Sequence, residues 1–177
     1  MGQALSRKSI VLVGLPGSGK STVGPLLARR LGAVFVDLDR AIESRAGKSV
    51  ARIFEEDGEA AFRALESRLG AEVLAGPPSV LAPGGGYVLN DDARREALEK
   101  ALVVYLETSP GVASRRLDGQ NDRPLLKGFD KALRLRQLLE QREGAYLEAQ
   151  GRVMTDSLTP EQVTSGLVEL ARTQGGW

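Results

Sequence analysis

One short segment near the N-terminus restricts the possible folds of this chain more than any other. Residues Gly14 to Ser21 read Gly-Leu-Pro-Gly-Ser-Gly-Lys-Ser and follow the apolar run Ser9 to Val13. They match the pattern G-x-x-x-x-G-K-[ST], in which backbone amides cradle phosphates, the lysine reaches the β- and γ-phosphates, and the hydroxyl binds Mg²⁺. A glycine-rich turn before a helix is the alternative, and the complete match disfavours it. The segment therefore predicts a nucleotide site.

The residues expected to bind ATP in this loop are consecutive. They are Gly17, Ser18, Gly19, Lys20, Ser21 and Thr22. Several classes of protein share such a loop, among them GTPases, ATP-driven machines and small-molecule kinases. A GTPase is expected to carry Asn-Lys-x-Asp and Asp-x-x-Gly, and neither pattern occurs in the sequence. A guanine-nucleotide switch is therefore disfavoured.

Apolar runs and amphipathic stretches alternate along the rest of the chain. Strands are predicted at Ser9–Val13, Ala33–Val36, Val80–Ala82, Leu102–Leu106 and Arg152–Thr155. Helices are predicted at Thr22–Leu31, Asp39–Ala46, Val50–Glu56, Glu59–Leu74, Asp91–Lys100, Pro110–Leu117, Phe129–Ala149 and Pro160–Thr173. This alternation indicates an α/β fold in three layers, with a five-stranded parallel sheet between helices. Asp118 to Gly128 lacks periodicity, and we expect an exposed, mobile loop there.

Composition excludes several kinds of chemistry. The chain of 177 residues contains no cysteine and no histidine, which removes thiol nucleophiles, imidazole bases and the usual zinc ligands. Its formal charge of +1 predicts no binding to nucleic acid or to an anionic membrane surface. Neither a membrane span nor a signal-peptide core is evident, so we expect a cytoplasmic protein with one domain over residues 1–177 and a core at about 8–172.

Two carboxylates follow the second predicted strand. Asp37 and Asp39 are separated by one residue, and the carboxyl ends of parallel strands open onto one crevice. One of these carboxylates could hold the shell of a magnesium ion while the other accepts a proton from an incoming hydroxyl. The alternative for Asp39 is that it caps the following helix.

Other candidate residues have ordinary structural interpretations when each is taken alone. Gly84, Gly85 and Gly86 follow the third strand, where they either expose bare backbone to a ligand or form a flexible turn. Arg63 and Glu66 share a helix face and could form a solvated ion pair. Arg116, Arg123 and Arg142 could likewise be solvated.

In combination, these residues resemble the shikimate kinase family. The resemblance extends from about Lys8 to Ala171 and rests on ordered motifs: the phosphate loop, Asp37-x-Asp39, Gly58-Glu59-x-x-Phe62-Arg63-x-x-Glu66, Gly84-Gly85-Gly86, Arg123-Pro124-Leu125-Leu126 and Arg142-x-x-x-Tyr146. It implies a nucleoside monophosphate kinase-like fold with a mobile lid at about 117–128. It also implies transfer of the γ-phosphoryl group of ATP to the 3-hydroxyl of shikimate, a step toward chorismate and the aromatic amino acids.

The resemblance further implies a role for each candidate residue. Asp39 would accept the hydrogen bond of the reacting hydroxyl, Arg63 and Arg142 would bind the shikimate carboxylate, and the Gly84–Gly86 backbone would lie along the ring. Ser21 would bind Mg²⁺ directly and Asp37 through water. Lys20 and Arg123 would stabilise the transferred group, and Arg116 and Pro160 would hold adenine. A gluconate-type kinase and a non-catalytic nucleotide-binding module are the alternatives, and we expect a monomer with ATP and shikimate as its ligands.

Overall fold

A parallel sheet organises the residues described by the structure, 7–118 and 130–177 of a computed structural model. Its five strands are β1 (Ser9–Val13), β2 (Val34–Asp37), β3 (Ser79–Ala82), β4 (Ala101–Glu107) and β5 (Gly151–Met154). They lie in the order β2-β3-β1-β4-β5, and every neighbouring pair is parallel. The predicted five-stranded parallel sheet is confirmed, with strand ends within one residue of their predicted positions.

Helices cover both faces of this sheet. Within the described part of the chain they are α1 (Lys20–Leu31), α2 (Leu38–Ala46), α3 (Val50–Glu56), α4 (Gly58–Leu74), α5 (Asp91–Lys100), α6 (Pro110–Arg116), α7 (Lys131–Tyr146) and α8 (Pro160–Gln174). One 3-10 turn, Tyr87–Leu89, was not predicted. None of the helices found in the described ranges is both long and apolar enough to cross a membrane.

The central strand shows why the fold has three layers. All five residues of β1 are buried. Val11 and Val13 belong to one apolar cluster, whereas Ile10 and Leu12 belong to a second cluster on the other face. Successive side chains of a strand point to opposite faces, so a strand that is apolar throughout needs a cover on each side. The predicted α/β/α layering is therefore confirmed.

The strand order places a crevice above the carboxyl end of β1. This strand pairs with β3 on one side and with β4 on the other. The strand order therefore changes direction at β1: β2 and β3 lie on one side of it, and β4 and β5 lie on the other. Ligands of open parallel sheets bind at such a switch point. In the next pair, Asp37 at the end of β2 is in register with Ala82 at the end of β3. The phosphate loop, the aspartates and the glycine turn thus meet at one edge of the sheet.

One local alternative from the sequence is wrong. The residue that caps α2 is Asp37, not Asp39, because an Asp37 carboxylate oxygen accepts a hydrogen bond from the Arg40 amide at 3.3 Å. Asp39 lies in the first turn of the helix and does not cap it. The predicted lid falls largely outside the described residues, and Arg123 lies wholly outside them.

Candidate active site

The phosphate loop connects β1 to α1 through a backbone that only glycine tolerates. Gly14 and Gly17 have φ angles of 150° and 81°. A Cβ atom at Gly14 would lie 2.7 Å from the carbonyl oxygen of Leu106, and one at Gly17 would lie 2.6 Å from that of Ala113. These contacts are with backbone atoms, which cannot move aside as a side chain can. Gly19 then precedes α1, whose first-turn amides form an anion-binding helix terminus.

Lys20 is the first residue of α1 and lies folded over the loop. Its Nζ atom donates hydrogen bonds to the carbonyl oxygens of Gly14 and Leu15 at 2.8 and 2.9 Å and to Ser18 Oγ at 3.2 Å. These acceptors hold the ammonium group at the centre of the loop. Phosphate oxygens bound there would be within reach of the same group.

The side chains expected to bind magnesium are adjacent. Ser21 Oγ donates a hydrogen bond to Asp37 Oδ2 at 3.0 Å. Hydroxyl and carboxylate oxygens are ligands suited to Mg²⁺, which commonly takes one or two protein ligands together with substrate phosphates and water. No group of three or more acidic, cysteine or histidine side chains that could hold a metal occurs within residues 7–118 and 130–177. The donor set fits a magnesium ion that enters with a nucleotide.

One cavity of about 430 Å³ contains residues from both parts of the predicted site. The nucleotide half comprises the phosphate loop, Asp37, Arg116 and Pro160. The acceptor half comprises Asp39, Arg63, the Gly84–Gly86 turn and Arg142. The lining of the cavity includes the loop residues Gly17 to Thr22, both Asp37 and Asp39, and the turn residues Gly84 and Gly85. Arg116 and Pro160, the residues predicted to hold adenine, also line it, together with Thr155 and Leu158, which the sequence did not indicate. Arg63, Gly86 and Arg142 adjoin the cavity through the glycine turn.

Each glycine of the turn faces a charged side chain. A Cβ at Gly84 would lie 2.7 Å from Glu66 Oε1 and 3.4 Å from Asp39 Oδ1. Corresponding atoms at Gly85 and Gly86 would lie 2.9 and 2.5 Å from the guanidinium nitrogens of Arg142 and Arg63. The turn is therefore more than a flexible connection: the absence of side chains lets two anions and two cations reach one short stretch of backbone.

Glu66 is a functional candidate that the sequence analysis left without a role. It is only 1% exposed, and its Oε2 accepts a hydrogen bond from Arg63 Nη1 at 2.6 Å. The interpretation of Arg63 and Glu66 as a solvated pair is therefore wrong for the carboxylate. Burial raises the pKa of Glu66 to about 7, opposed by the nearby Arg63 and reinforced by the charge of Asp39. The i, i+3 spacing was visible in the sequence, whereas the burial was not.

Arg142 is the second cation of the acceptor half. It lies on α7, is 3% exposed, and its Nε atom has no hydrogen-bond partner in the described part of the chain. Nor does any carboxylate of that part form an ion pair with it. A buried charge without a counter-ion is costly, and an anionic ligand would offset that cost. The interpretation of Arg142 as a solvated arginine is wrong.

Arg116 connects the phosphate loop to the far wall of the cavity. Its guanidinium donates hydrogen bonds to the carbonyl oxygen of Thr155 at 2.8 Å, to Thr155 Oγ1 at 3.1 Å and to the carbonyl oxygen of Gly17 at 3.5 Å. The hydroxyl of Thr155 also shares a hydrogen bond of 2.5 Å with Thr108. These bonds hold a planar cation in the wall of the cavity that Pro160, the first residue of α8, also lines. A planar base could stack in this region.

Fold and site together define a class of protein. A phosphate loop at the switch point of this sheet, with a carboxylate in the same cavity and two arginines at the adjacent glycine turn, is typical of a P-loop kinase with the nucleoside monophosphate kinase-like fold. A family model described as shikimate kinase matches residues 16–172. The chain belongs to the shikimate kinase family, whose members phosphorylate shikimate at the expense of ATP.

Individual relatives agree with this membership. The chain is 49% identical to the shikimate kinase of Thermobifida fusca over 158 residues, which cover 89% of this chain and 91% of that one. It also resembles the structure of Acinetobacter baumannii shikimate kinase in complex with shikimate, with a TM-score of 0.91, 33% identity and 94% of each chain covered. A gluconokinase from Sinorhizobium meliloti has a TM-score of 0.57 at 22% identity, which reflects the shared fold alone.

Proposed function

We propose that this chain transfers the γ-phosphoryl group of ATP to the 3-hydroxyl of shikimate, with the roles described below. One observation carries the proposal: buried Arg142 and half-buried Arg63 converge on the glycine turn, which lies beside Asp39 and against the phosphate loop. A substrate that joins a carboxylate to a ring of hydroxyls complements this arrangement. Gluconate also carries both groups, so the substrate test must compare the two directly.

The acceptor's carboxylate would bind to Arg142 and Arg63. A guanidinium group presents paired N–H donors in one plane, which fixes the orientation of a carboxylate as well as its position. Glu66 holds Arg63 from behind through the 2.6 Å hydrogen bond, so this cation is already oriented before a ligand arrives. The Gly84–Gly86 backbone would then lie against the ring because no side chain stands in its way.

Asp39 would act on the hydroxyl that reacts. It lies at the start of α2, where it lines the same cavity as Lys20. Its carboxylate would accept the hydroxyl proton as the hydroxyl oxygen forms a bond to the γ-phosphorus, while the bond from that phosphorus to the bridging oxygen breaks and ADP leaves. Positioning of this hydroxyl in line with the leaving oxygen is the larger part of such a role.

The nucleotide half would orient ATP and stabilise its charge. Loop amides and Lys20 would bind the β- and γ-phosphates, and Arg116 and Pro160 would hold the adenine. Ser21, and Asp37 through water, would hold the Mg²⁺ that enters with ATP, and this ion would neutralise charge at the phosphates. The predicted contribution of Arg123 and the predicted lid concern residues outside the described ranges, and both stay predictions.

A substrate panel tests the proposal. Release of ADP in a coupled assay should require both Mg²⁺ and ATP, and it should be rapid with shikimate and nearly absent with gluconate or quinate. The two alternative acceptors differ from shikimate in ring closure or in the placement of their hydroxyl groups, so the panel probes the geometry of the acceptor half. Equal rates with gluconate would contradict the proposed substrate, and no turnover with any acceptor would favour a non-catalytic nucleotide-binding module.

A further inference from the structure

A tyrosine lies directly beneath the acceptor half of the site. Tyr146 follows Arg142 by one helical turn on α7 and is fully buried, with 0% of its surface exposed. Its hydroxyl donates a hydrogen bond of 2.7 Å to the carbonyl oxygen of Gly85. The proposed function assigns no role to the Tyr146 side chain.

The tyrosine ring is held in a fixed orientation. It stacks on Tyr105 of β4, with ring centroids 5.0 Å apart and planes inclined by 18°. Burial raises the pKa of Tyr146 to about 12, although the nearby Arg142 acts in the opposite direction. The hydroxyl therefore keeps its proton at any pH near neutrality and acts as a donor toward Gly85.

This hydrogen bond determines the direction of one peptide group. A trans peptide is planar, with its C=O and N–H pointing to opposite sides. Because the Gly85 carbonyl points to the buried Tyr146 hydroxyl, the amide of Gly86 in the same peptide points away from it. Glycine has the least restricted backbone of all residues, so a run of three glycines has little intrinsic preference for this orientation.

The same peptide also borders the buried cation. Arg142 Nη1 lies 2.9 Å from the position that a Cβ of Gly85 would occupy. Any rotation of the Gly85 peptide would therefore change the space beside this guanidinium. Arg142 and Tyr146 project from successive turns of one helix, so α7 places both the cation and the donor that orients the turn.

We propose that Tyr146 is a positioning residue for the acceptor: its hydroxyl holds the Gly85–Gly86 peptide in the orientation that fits the ligand bound by Arg142. This inference rests on the proposed function, since the acceptor is taken to be shikimate. A tyrosine that served only the core would contribute through its ring, and its hydroxyl would be dispensable for binding.

The test removes one hydroxyl and keeps the ring. Tyr146→Phe should raise KM for shikimate by roughly fivefold to twentyfold, because a lost buried hydrogen bond leaves the Gly85 carbonyl without its donor. KM for ATP and kcat should change by less than about twofold, since the phosphate loop and Asp39 are untouched. An unchanged KM for shikimate in this variant would overturn the proposal.

Tyr105→Phe is the matched control because it removes a hydroxyl from the other ring of the same stack. Within residues 7–118 and 130–177, the Tyr105 hydroxyl makes no hydrogen bond to the glycine turn. The control should leave both KM values at the wild-type level. An equal rise in shikimate KM for Tyr105→Phe would assign the effect to packing and overturn the proposal.

A double variant keeps the test decisive if Tyr146→Phe proves less stable. Arg142→Lys should raise shikimate KM by itself, and addition of Tyr146→Phe should then have a smaller effect than in the wild type, because residues that act on one site are coupled. If Tyr146→Phe raised shikimate KM by the same factor in the Arg142→Lys variant as in the wild type, the inference would be overturned. Turnover of shikimate by the wild-type enzyme tests the proposed function separately, so failure of one can be told from failure of the other.

Discussion

The nucleotide half and the acceptor half of the site are formed by different kinds of chemical group. On the nucleotide side, the phosphate site is formed by consecutive residues of one loop, whose glycines at 14 and 17 adopt φ angles of 150° and 81°. On the acceptor side, the charges come from α2, α4 and α7, and they meet around a glycine turn that follows β3. The phosphate site is thus formed by local backbone, whereas the acceptor half is formed by side chains that only the fold brings together.

The difference also concerns burial. Ser21 and Thr22 at the start of α1, the residues predicted to bind Mg²⁺ and phosphate, are exposed. Glu66 and Arg142 in the acceptor half are 1% and 3% exposed. Buried charges depend strongly on their partners, whereas exposed groups are compensated by solvent. We therefore expect the acceptor half to be the more sensitive to single side-chain substitutions.

The largest expected effect follows from Asp39→Asn. The amide cannot accept the hydroxyl proton, so kcat should fall by roughly 10²–10⁴-fold. Nucleotide affinity, measured with a fluorescent ATP analogue, should stay near the wild-type value because the phosphate loop is unchanged. Asp92→Asn, at a side chain that is 95% exposed on α5, is the control. Full activity of Asp39→Asn would remove this residue from the reaction.

Arg142→Gln should have the next largest effect. Loss of a charge-assisted, paired contact to the acceptor carboxylate should raise KM for shikimate by about 100-fold, which corresponds to roughly 3 kcal/mol. Arg136→Gln, an exposed arginine on the same helix, is the matched control. Steady-state kinetics with shikimate varied at saturating ATP measure both. A shikimate KM that is the same in the two variants would mean that the carboxylate is bound elsewhere.

Glu66→Gln should change how stability depends on pH. The folded chain holds the Glu66 proton more tightly than the unfolded chain, since burial raises its pKa from 4.5 to about 7. The free energy of unfolding should therefore decrease as pH rises from about 4.5 to 7 and then level off, a loss on the order of 2–3 kcal/mol. Without this carboxylate, the variant should show less of that decrease in urea unfolding.

The composition of the chain simplifies the interpretation of this pH dependence. The chain has no histidine, so no imidazole titrates between pH 5 and 7.5. Glu59→Gln is the control because Glu59 also pairs with Arg63, at 3.4 Å, but has a side chain that is 59% exposed. If the free energy of unfolding of Glu66→Gln depended on pH as that of the wild type does, Glu66 would not be the source of the decrease.

Glycine substitutions should separate the two halves cleanly. Gly86→Ala forces the Arg63 guanidinium to shift and should raise shikimate KM by about tenfold. In the loop, Gly17→Ala combines a strained φ of 81° with a backbone collision and should instead raise KM for ATP by a similar factor, about tenfold. Gly144→Ala on α7, where a Cβ meets nothing within 4 Å, is the control and should not change either KM. A rise in ATP KM for Gly86→Ala, or in shikimate KM for Gly17→Ala, would contradict the division into a nucleotide half and an acceptor half.

The smallest effect is expected at Arg116. Arg116→Ala removes hydrogen bonds to Thr155 and Gly17 from an exposed side chain, so KM for ATP should rise only about threefold to fivefold. Shikimate KM should stay constant. Its exposed neighbour Arg115, substituted in the same way, provides the baseline. A larger change in shikimate KM than in ATP KM would place Arg116 in the wrong half.

Much of the fold was predictable because its signals are local. The bounds of β1, α3 and α5 agree with the predicted ranges, since an apolar run or a helical period reports on neighbouring residues. Helix ends agreed less well where a cap decided them. For α7, the Asp130 side chain accepts a hydrogen bond from the Leu133 amide, so the helix begins at Lys131; the predicted start at Phe129 lies outside the described residues.

The sequence by itself determined the phosphate loop of the nucleotide half, because the spacing of Gly14, Gly19, Lys20 and Ser21 is covalent and the loop conformation follows from it. It also supplied the candidate acceptor residues through a family resemblance. Only the tertiary structure decided that Glu66 is buried behind Arg63 and that the Tyr146 hydroxyl is bonded to Gly85. Burial and contact between distant segments depend on how α4, α7 and the sheet pack together, and no local pattern encodes that packing.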